Sequence, residues 1–265
     1  MKREKEATYI ATISGGKDST AMCDLLLANG YQVDYIVFND TLNEFDLMYK
    51  YLNKVEKYFK RKYNKKITRL YPDKNADFTD SMFRKRVKGE RKGKVAGLRN
   101  ASDPFCEWRS TAKIRPFEKF VSQFKNYKVY IGIALDEAYR AKRDDPTYIY
   151  PLIDIFKMTE ADCLQYLKER DMENPLYRYF KRTGCANCHY RTDKDFYMIW
   201  KHFPEVWQRY KDLEAKMAKE DTDFKHWFTG YRTCEDMEKL FKKIDAQGSL
   251  FDLNDEPVKD CFCKI

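Results

Sequence analysis

The sequence predicts an α/β fold in which a parallel twisted sheet with flanking helices is followed by a mainly helical C-terminal part. A β-branched run at 9–13 breaks into a glycine pair and then an amphipathic segment, which is typical of a strand, a turn and a helix. A second strand is predicted at 31–41, and two successive βα units imply a parallel sheet. Between about 190 and 245 the apolar residues recur at helical spacing.

The first turn contains the residues that an anion-binding loop requires. Gly15 and Gly16 leave backbone N–H groups open to a ligand, and the following helix points its positive dipole end at the same place. Lys17 adds a full positive charge there. The turn is not a Walker A loop, because Lys17 is followed by Asp18 rather than by Ser or Thr. We therefore expect a phosphate-bearing ligand at this turn.

The remaining elements follow along the chain. Apolar spacing predicts a helix from Glu44 to about Arg61, and short apolar runs predict strands at Lys66–Tyr71 and Lys128–Ala134. The basic, glycine-containing stretch 73–105 is longer than a compact fold needs, which indicates a lid or binding surface. Thr159 to Asp162 has the pattern of a capping box that opens a helix.

Bulk composition describes a globular chain with enough apolar residues for a core, since 43% of its 265 residues are hydrophobic. It has no apolar run of about 18 residues and no apolar segment near its start, so we expect no membrane span and a cytoplasmic location. The net charge of +9 is concentrated at 57–66 and 84–99. Such surfaces suit nucleic acid or a polyanionic nucleotide, and they are also compatible with a solvated face.

The first turn also carries a family resemblance. Ser14-Gly-Gly-Lys-Asp-Ser19 resembles the pyrophosphate loop of the PP-loop (adenine nucleotide α-hydrolase) superfamily, whose members bind ATP and mostly cleave it between the α and β phosphates. Further patches between about 8 and 215 resemble the phosphoadenosine phosphosulfate (PAPS) reductase-like branch, in the order of that branch. The matching positions include Cys106, Lys113, Pro116, Gly132, Glu137, Arg140 and Tyr150-Pro-Leu-Ile-Asp154. The chain departs from that pattern at Leu42 and Ala138, where the branch has glycine and serine.

The resemblance implies a site for ATP and Mg²⁺. The predicted nucleotide-binding residues are Ser14, Gly15, Gly16, Lys17, Asp18, Ser19, Asp40 and Gly132. Lys17 would hold the departing pyrophosphate, and Asp18 would reach Mg²⁺. Arg140 or Arg143 would neutralise the outer phosphates. We predict a PP-loop nucleotide-binding α/β domain over 1–155 and a helical C-terminal region with a Cys-x-x-Cys site over 156–265.

Eight cysteines in a cytosolic chain indicate metal, cluster or redox chemistry. Cys185 and Cys188 place two thiolates on one turn, which is half of a tetrahedral ligand set. Cys106 lies in a family-matching segment, and either Cys261 or Cys263 is expected as the fourth ligand. An iron–sulfur cluster ([4Fe–4S]), a structural Zn²⁺ site and a redox-active pair stay open, and the resemblance favours the cluster.

The residues near this pair and the other thiols have lesser predicted roles. Gly184 eases the turn before Cys185, and His189 would be a ligand only in a zinc site. We expect Cys23 and Cys163 to be core thiols, and Cys234 is left open.

Three functions compete at this point. The first is ATP cleavage that adenylates an acceptor for sulfur transfer, with a sulfur donor or partner protein and with nucleic acid as one class of acceptor. The second is a sulfonucleotide reductase with Cys261 or Cys263 as nucleophile; the complete pyrophosphate loop and the missing Glu-Cys-Gly tail argue against it. The third is a non-catalytic nucleotide or nucleic-acid binding protein. Pyrophosphate release from ATP separates the first from the other two.

Overall fold

The computed structural model describes residues 7–95, 106–220 and 232–247. Five strands form one sheet, and every neighbouring pair in it is parallel. The strands are β1 Thr8–Thr12, β2 Tyr35–Asn39, β3 Ile67–Leu70, β4 Tyr127–Tyr130 and β5 Tyr148–Ile149. Their order is β3-β2-β1-β4-β5. The predicted α/β class with a parallel sheet is confirmed.

Helices flank this sheet, and within the described residues the regular elements after β5 are all helical. They are α1 Lys17–Ala28, α2 Asp46–Tyr63, α3 Phe78–Met82, α4 Glu107–Arg109, α5 Arg115–Val121, α6 Pro151–Asp154, α7 Glu160–Lys168, α8 Asp193–His202, α9 Pro204–Met217 and α10 Cys234–Gln247. A π-helical turn, Ser110–Ile114, joins α4 to α5, and 3₁₀ helices lie at Leu135–Arg140 and Pro175–Arg178. The predicted capping box opens α7, because the Asp162 N–H donates to Thr159 Oγ1 and the Thr159 N–H donates to Asp162 Oδ2.

The alternation of side chains along the strands builds a core on each face of the sheet. In β1, Tyr9 and Ala11 pack into the larger core with α1, α2 and the C-terminal helices. Ile10 faces the other way, into a smaller core that contains Phe117 and Val121 of α5. The larger core includes residues from both sides of residue 155. The domain boundary near 155 stays a prediction.

The strand order predicts a crevice at the carboxyl ends of the neighbouring strands β1 and β4. From β1 the chain runs through α1 to β2 on one side, whereas β4 lies against β1 on the other side. The connections after β1 and β4 therefore leave in opposite directions, which makes this place a topological switch point. Ligands of open α/β sheets bind beyond the carboxyl ends of the strands at such a point. The first turn follows β1 at this position. Within the described residues, no helix is long and apolar enough to span a bilayer.

Candidate active site

The loop after β1 is closed by hydrogen bonds between its two serines. The Ser14 N–H donates to Ser19 Oγ at 3.0 Å, and the two hydroxyl oxygens lie 2.9 Å apart. Gly15 has a φ of +77°, and a Cβ there would lie 2.3 Å from Met48 Sδ. The left-handed backbone therefore favours glycine at 15, and the Met48 side chain would have to move to admit a Cβ. The turn places the N-terminus of α1 at the carboxyl end of β1.

Gly132 allows the segment after β4 to pass directly over the start of α1. A Cβ at this position would lie 2.6 Å from Ser19 Cα and 2.8 Å from Ser19 N, both of them backbone atoms. The predicted fourth strand ends early, at Tyr130, because the chain leaves the sheet to make this crossing. Gly132 lines the same cleft as Ser19, and its predicted nucleotide contact stays a prediction.

Lys17 lies among carboxylates at the start of α1. Its Nζ is 2.7 Å from Glu160 Oε1 and 3.4 Å from Asp18 Oδ1. Burial alone would lower the pKa of Lys17, but Asp18, Tyr177 and Glu160 outweigh burial, and the net pKa is raised. Lys17 is therefore a full positive charge at any physiological pH. Glu160 had no predicted role, because its position at the start of α7 is explained by helix capping alone.

Three carboxylates meet beside Lys17. Asp18, Glu137 and Glu160 each offer an oxygen within 4.8 Å of the other two. Oxygen ligands of this kind suit Mg²⁺. Arg140 Nη1 lies 2.8 Å from Glu137 Oε1, so Arg140 belongs to the same charge network. The Mg²⁺ role of Asp18 stays a prediction, and Glu137 and Glu160 are added to it as candidate ligands.

The segment before and within the 3₁₀ helix Pro175–Arg178 braces the loop from the opposite side. Asn174 Nδ2 donates to the Gly15 carbonyl at 2.8 Å, and the Lys17 N–H donates to Tyr177 Oη at 2.8 Å. Burial raises the pKa of Tyr177 to about 12, so its hydroxyl stays protonated. Sequence reasoning assigned neither residue a role, since both lie about 160 positions from the loop.

One cleft of about 220 Å³ runs from this loop to the cysteines. Ser14, Gly16, Lys17, Asp18, Ser19, Gly132, Cys106, Cys185 and Cys188 line it. Three amide side chains in its wall are more than nine-tenths buried, yet Asn39 Oδ1, Asn43 Nδ2 and Asn187 Nδ2 have no hydrogen-bond partner among the described residues. Buried polar atoms of this kind are normally satisfied, so the cleft is suited to a polar ligand.

The cysteines predicted as ligands reach this cleft from two segments distant in sequence. Trp108 Nε1 donates to the Thr41 carbonyl at 3.0 Å, which holds the segment after Cys106 against the end of β2. Arg191 Nη2 donates to the carbonyls of Gly184 and Cys185, at 3.1 Å each, and fixes the other segment. Cys261 and Cys263 lie outside the described residues. The shared cluster stays a prediction.

The Cys185 thiol lies against polar atoms from the end of β2. Its Sγ is 3.6 Å from Thr41 Oγ1 and 3.8 Å from Glu44 Oε1. Burial and the Glu44 carboxyl raise the pKa of Cys185 to about 12, and burial also raises the pKa of Glu44. Within the described ranges, the acidic group at Asp18 is the one close set of three or more potential metal ligands. The three thiols are therefore spread more widely than in a compact tetrahedral zinc site.

Several other predicted residues lie outside the described lining of the cleft. Asp40 accepts hydrogen bonds from the Leu42 N–H at 2.9 Å and from Tyr49 Oη at 2.8 Å, so it orders the turn after β2. Arg143 pairs with Asp154 at 2.9 Å. Neither Asp40, Arg140 nor Arg143 is among the described lining residues. The nucleotide roles of all three stay predictions.

The remaining thiols lie in the core, whereas Gly184 has no steric role in its turn. Cys23 and Cys163 are fully buried, which confirms them as core thiols, and Cys234 is also in the core. His189 lines the cleft next to Cys188. A Cβ at Gly184 would meet nothing closer than Arg191 Nη2 at 3.7 Å, so the turn before Cys185 does not require glycine.

Comparisons with known proteins give one family match and several distant similarities. Residues 8–191 match the family model of the phosphoadenosine phosphosulfate reductase domain. Two uncharacterized proteins of Methanocaldococcus jannaschii, MJ0066 and MJ0973, are 27% identical over 232 residues and 22% identical over 256 residues. These matches cover 82% and 92% of this chain but 44% and 56% of the relatives, so the chain spans about half the length of the curated relatives it matches. The crystal structure of a PAPS reductase from Candida auris, in a phosphate complex, is 16% identical, with a TM-score of 0.49 over 68% of this chain and 82% of that chain.

Proposed function

The chain belongs to the phosphoadenosine phosphosulfate reductase domain family, and we propose that it binds ATP and cleaves it between the α and β phosphates to adenylate an acceptor. The observation that carries the proposal is the complete Ser14–Ser19 loop at the switch point of the sheet, with Lys17 beside a group of three carboxylates. A loop of backbone N–H groups, a helix N-terminus and a lysine together suit a pyrophosphate leaving group.

The proposed reaction is a displacement at the α-phosphorus. An acceptor oxygen forms a bond to that phosphorus, the bond to the oxygen bridging to the β-phosphorus breaks, and pyrophosphate leaves with the electron pair. Catalysis of this kind rests mainly on positioning and on charge neutralisation. Lys17 and the loop N–H groups would hold the pyrophosphate. The acceptor would enter through the same cleft, where Asn39, Asn43 and Asn187 supply polar contacts.

The carboxylates fit Mg²⁺ by the chemistry of their donors. Asp18, Glu137 and Glu160 would share the ion, which when bound would neutralise phosphate charge. Without an added cation, Lys17 and Arg140 balance these carboxylates. A cation bound by Glu160 would take over that balance and let the Lys17 side chain turn to the phosphates.

The three cleft cysteines support a role in sulfur transfer. Cys106, Cys185 and Cys188 would hold an iron–sulfur cluster, whose ligands lie farther apart than those of a single Zn²⁺, and Cys261 or Cys263, outside the described residues, would be the fourth ligand. The three cysteines would keep that cluster beside the nucleotide loop, and the cluster when bound would supply the chemistry for transferring sulfur to the activated acceptor. The donor of that sulfur would be a small sulfur compound or a partner protein.

A sulfonucleotide reductase is the second candidate, and the family match together with thiols beside the nucleotide loop favours it. Its substrate carries sulfate on the α-phosphate, so no pyrophosphate leaves and the loop would not need its full set of residues. The complete loop therefore favours ATP cleavage.

Replacing Lys17 by Ala tests the proposal. The variant loses the charge that faces the leaving group, and we expect AMP and pyrophosphate formation to fall by roughly 10²–10³-fold, as for the loss of one transition-state donor. Lys54→Ala is the matched control, because Lys54 also pairs with a carboxylate, Asp171, but lies outside the described cleft lining. If Lys17→Ala releases pyrophosphate as fast as Lys54→Ala, the loop is not the site of cleavage.

A further inference from the structure

Residues 84–95 form a short, strongly basic hairpin. Lys85 and Val95 make an antiparallel bridge, the Arg86 N–H donates to the Lys94 carbonyl at 2.9 Å, and the Gly93 N–H donates to the Arg86 carbonyl at 2.8 Å. Gly89 and Gly93 supply the positive φ values of its tip. This segment is part of the predicted lid or binding surface 73–105, of which residues 96–105 lie outside the described ranges.

The hairpin carries most of the excess charge of the chain. Its seven basic residues are Arg84, Lys85, Arg86, Lys88, Arg91, Lys92 and Lys94. Glu90 is its one acidic residue, so twelve residues carry a net charge of +6 out of +9 for the whole chain. Five of the basic side chains are exposed. A concentration of this kind is the footprint of a polyanionic ligand.

The base of the hairpin is attached to the wall of the cleft. Met82, two residues before Arg84, lines the cleft, and Arg84 forms an ion pair with Glu107, which also lines it. Lys216 of α9 adds another cation, with its Nζ 4.2 Å from the ring centroid of Phe83. A ligand bound along the hairpin would therefore extend to the mouth of the cleft.

The composition of the hairpin favours nucleic acid over the other polyanions. None of its described residues lines the cleft, so we assign them no contact with the nucleotide proposed to bind there. Protein interfaces are depleted in lysine and are built around apolar anchors, whereas the one exposed large apolar residue of this hairpin is Val87. Backbone phosphates of nucleic acid are bound mainly by Lys and Arg.

We propose that hairpin 84–95 binds the sugar–phosphate backbone of a nucleic acid and presents one of its bases to the cleft as the acceptor. The claim that a base is the acceptor rests on the proposed function. The unsatisfied amide atoms of Asn39, Asn43 and Asn187 offer the acceptor and donor groups that a base edge requires. Backbone binding by the hairpin does not depend on catalysis.

The test compares two triple variants with the same change in charge. Lys85→Glu/Lys88→Glu/Lys92→Glu alters the hairpin, whereas Lys57→Glu/Arg61→Glu/Lys66→Glu alters exposed residues near the far end of α2. Arg61 lies about 20 Å along the helix axis from Met48, which lines the cleft. Fluorescein-labelled single strands of RNA and of DNA, about 20 nucleotides long, are titrated by fluorescence anisotropy in ~100 mM salt. A poly-glutamate peptide is the competing polyanion, and thermal denaturation checks the fold of each variant.

We expect the hairpin variant to bind at least about tenfold more weakly, with a salt slope smaller by about 2, while the α2 variant binds like the wild type. The RNA and DNA arms identify which nucleic acid is preferred. If both variants lose oligonucleotide affinity equally, the binding depends only on the net charge of the chain, and the proposal is overturned. Equal affinity of the wild type for poly-glutamate and for the oligonucleotides would also overturn it. Because the readout is binding without turnover, it is independent of whether Lys17→Ala supports ATP cleavage.

Discussion

Replacing Gly132 by Ala should displace the backbone of Ser19 at the end of the nucleotide loop. The new methyl group would lie 2.6 Å from Ser19 Cα and 2.8 Å from Ser19 N. Carbon atoms pack at about 3.5–4.0 Å, so two backbone segments must separate by about 1 Å. Overpacking of this size costs about 1–3 kcal/mol, which for a chain of this length lowers the Tm by roughly 2–10 °C. We also expect ATP to bind more weakly, because the N–H groups around Ser19 move.

Gly184→Ala is the matched control for this variant. Both glycines line the cleft, but a Cβ at 184 meets only Arg191 Nη2, at the ordinary contact distance of 3.7 Å. Thermal denaturation followed by circular dichroism gives the Tm, and isothermal titration calorimetry gives the Kd for ATP. The reasoning is refuted if Gly132→Ala melts and binds ATP like the wild type, or if Gly184→Ala is damaged to the same degree.

Two further predictions concern the turn after β2 and the cysteines. Leu42 has a φ of +53°, a conformation that costs a non-glycine residue about 1–2 kcal/mol. Leu42→Gly should therefore raise the free energy of unfolding by up to ~1 kcal/mol, once the entropy cost of glycine is subtracted. An unchanged or lower midpoint of unfolding in urea would contradict this. Cys106→Ala, Cys185→Ala and Cys188→Ala should each lower the iron content of protein purified without oxygen, whereas Cys163→Ala, a change in the core, should lower stability and keep the iron. Stoichiometric zinc without iron in the wild type would exclude the cluster.

Local chemistry made the first βα unit and its loop predictable. A glycine pair before a lysine and an amphipathic run requires few long-range contacts to form a strand, a turn and a helix. The capping box at Thr159 was predictable for the same reason, since both of its partners lie within four residues. The α/β class followed from two such units in succession.

Contacts between distant segments could not be predicted from a single sequence. The pairing of Lys17 with Glu160 joins residues 143 positions apart, and the bond from Asn174 to Gly15 joins residues 159 positions apart. Gly132 could be matched to a family pattern, but its steric role depends on where β4 lies beside α1. Leu42 in a left-handed conformation was likewise hidden, because the hydrogen bond to Asp40 holds a turn in which glycine is the expected residue.

The products formed from nucleotides test the central claim most directly. The 265-residue chain is purified without oxygen and incubated with Mg²⁺ and ATP, and in parallel with PAPS and a thiol reductant. The products are separated by ion-exchange chromatography. We expect AMP and pyrophosphate from ATP in a reaction that Lys17→Ala loses, and no sulfite from PAPS. ADP and phosphate from ATP, or sulfite from PAPS with ATP left intact, would contradict cleavage between the α and β phosphates.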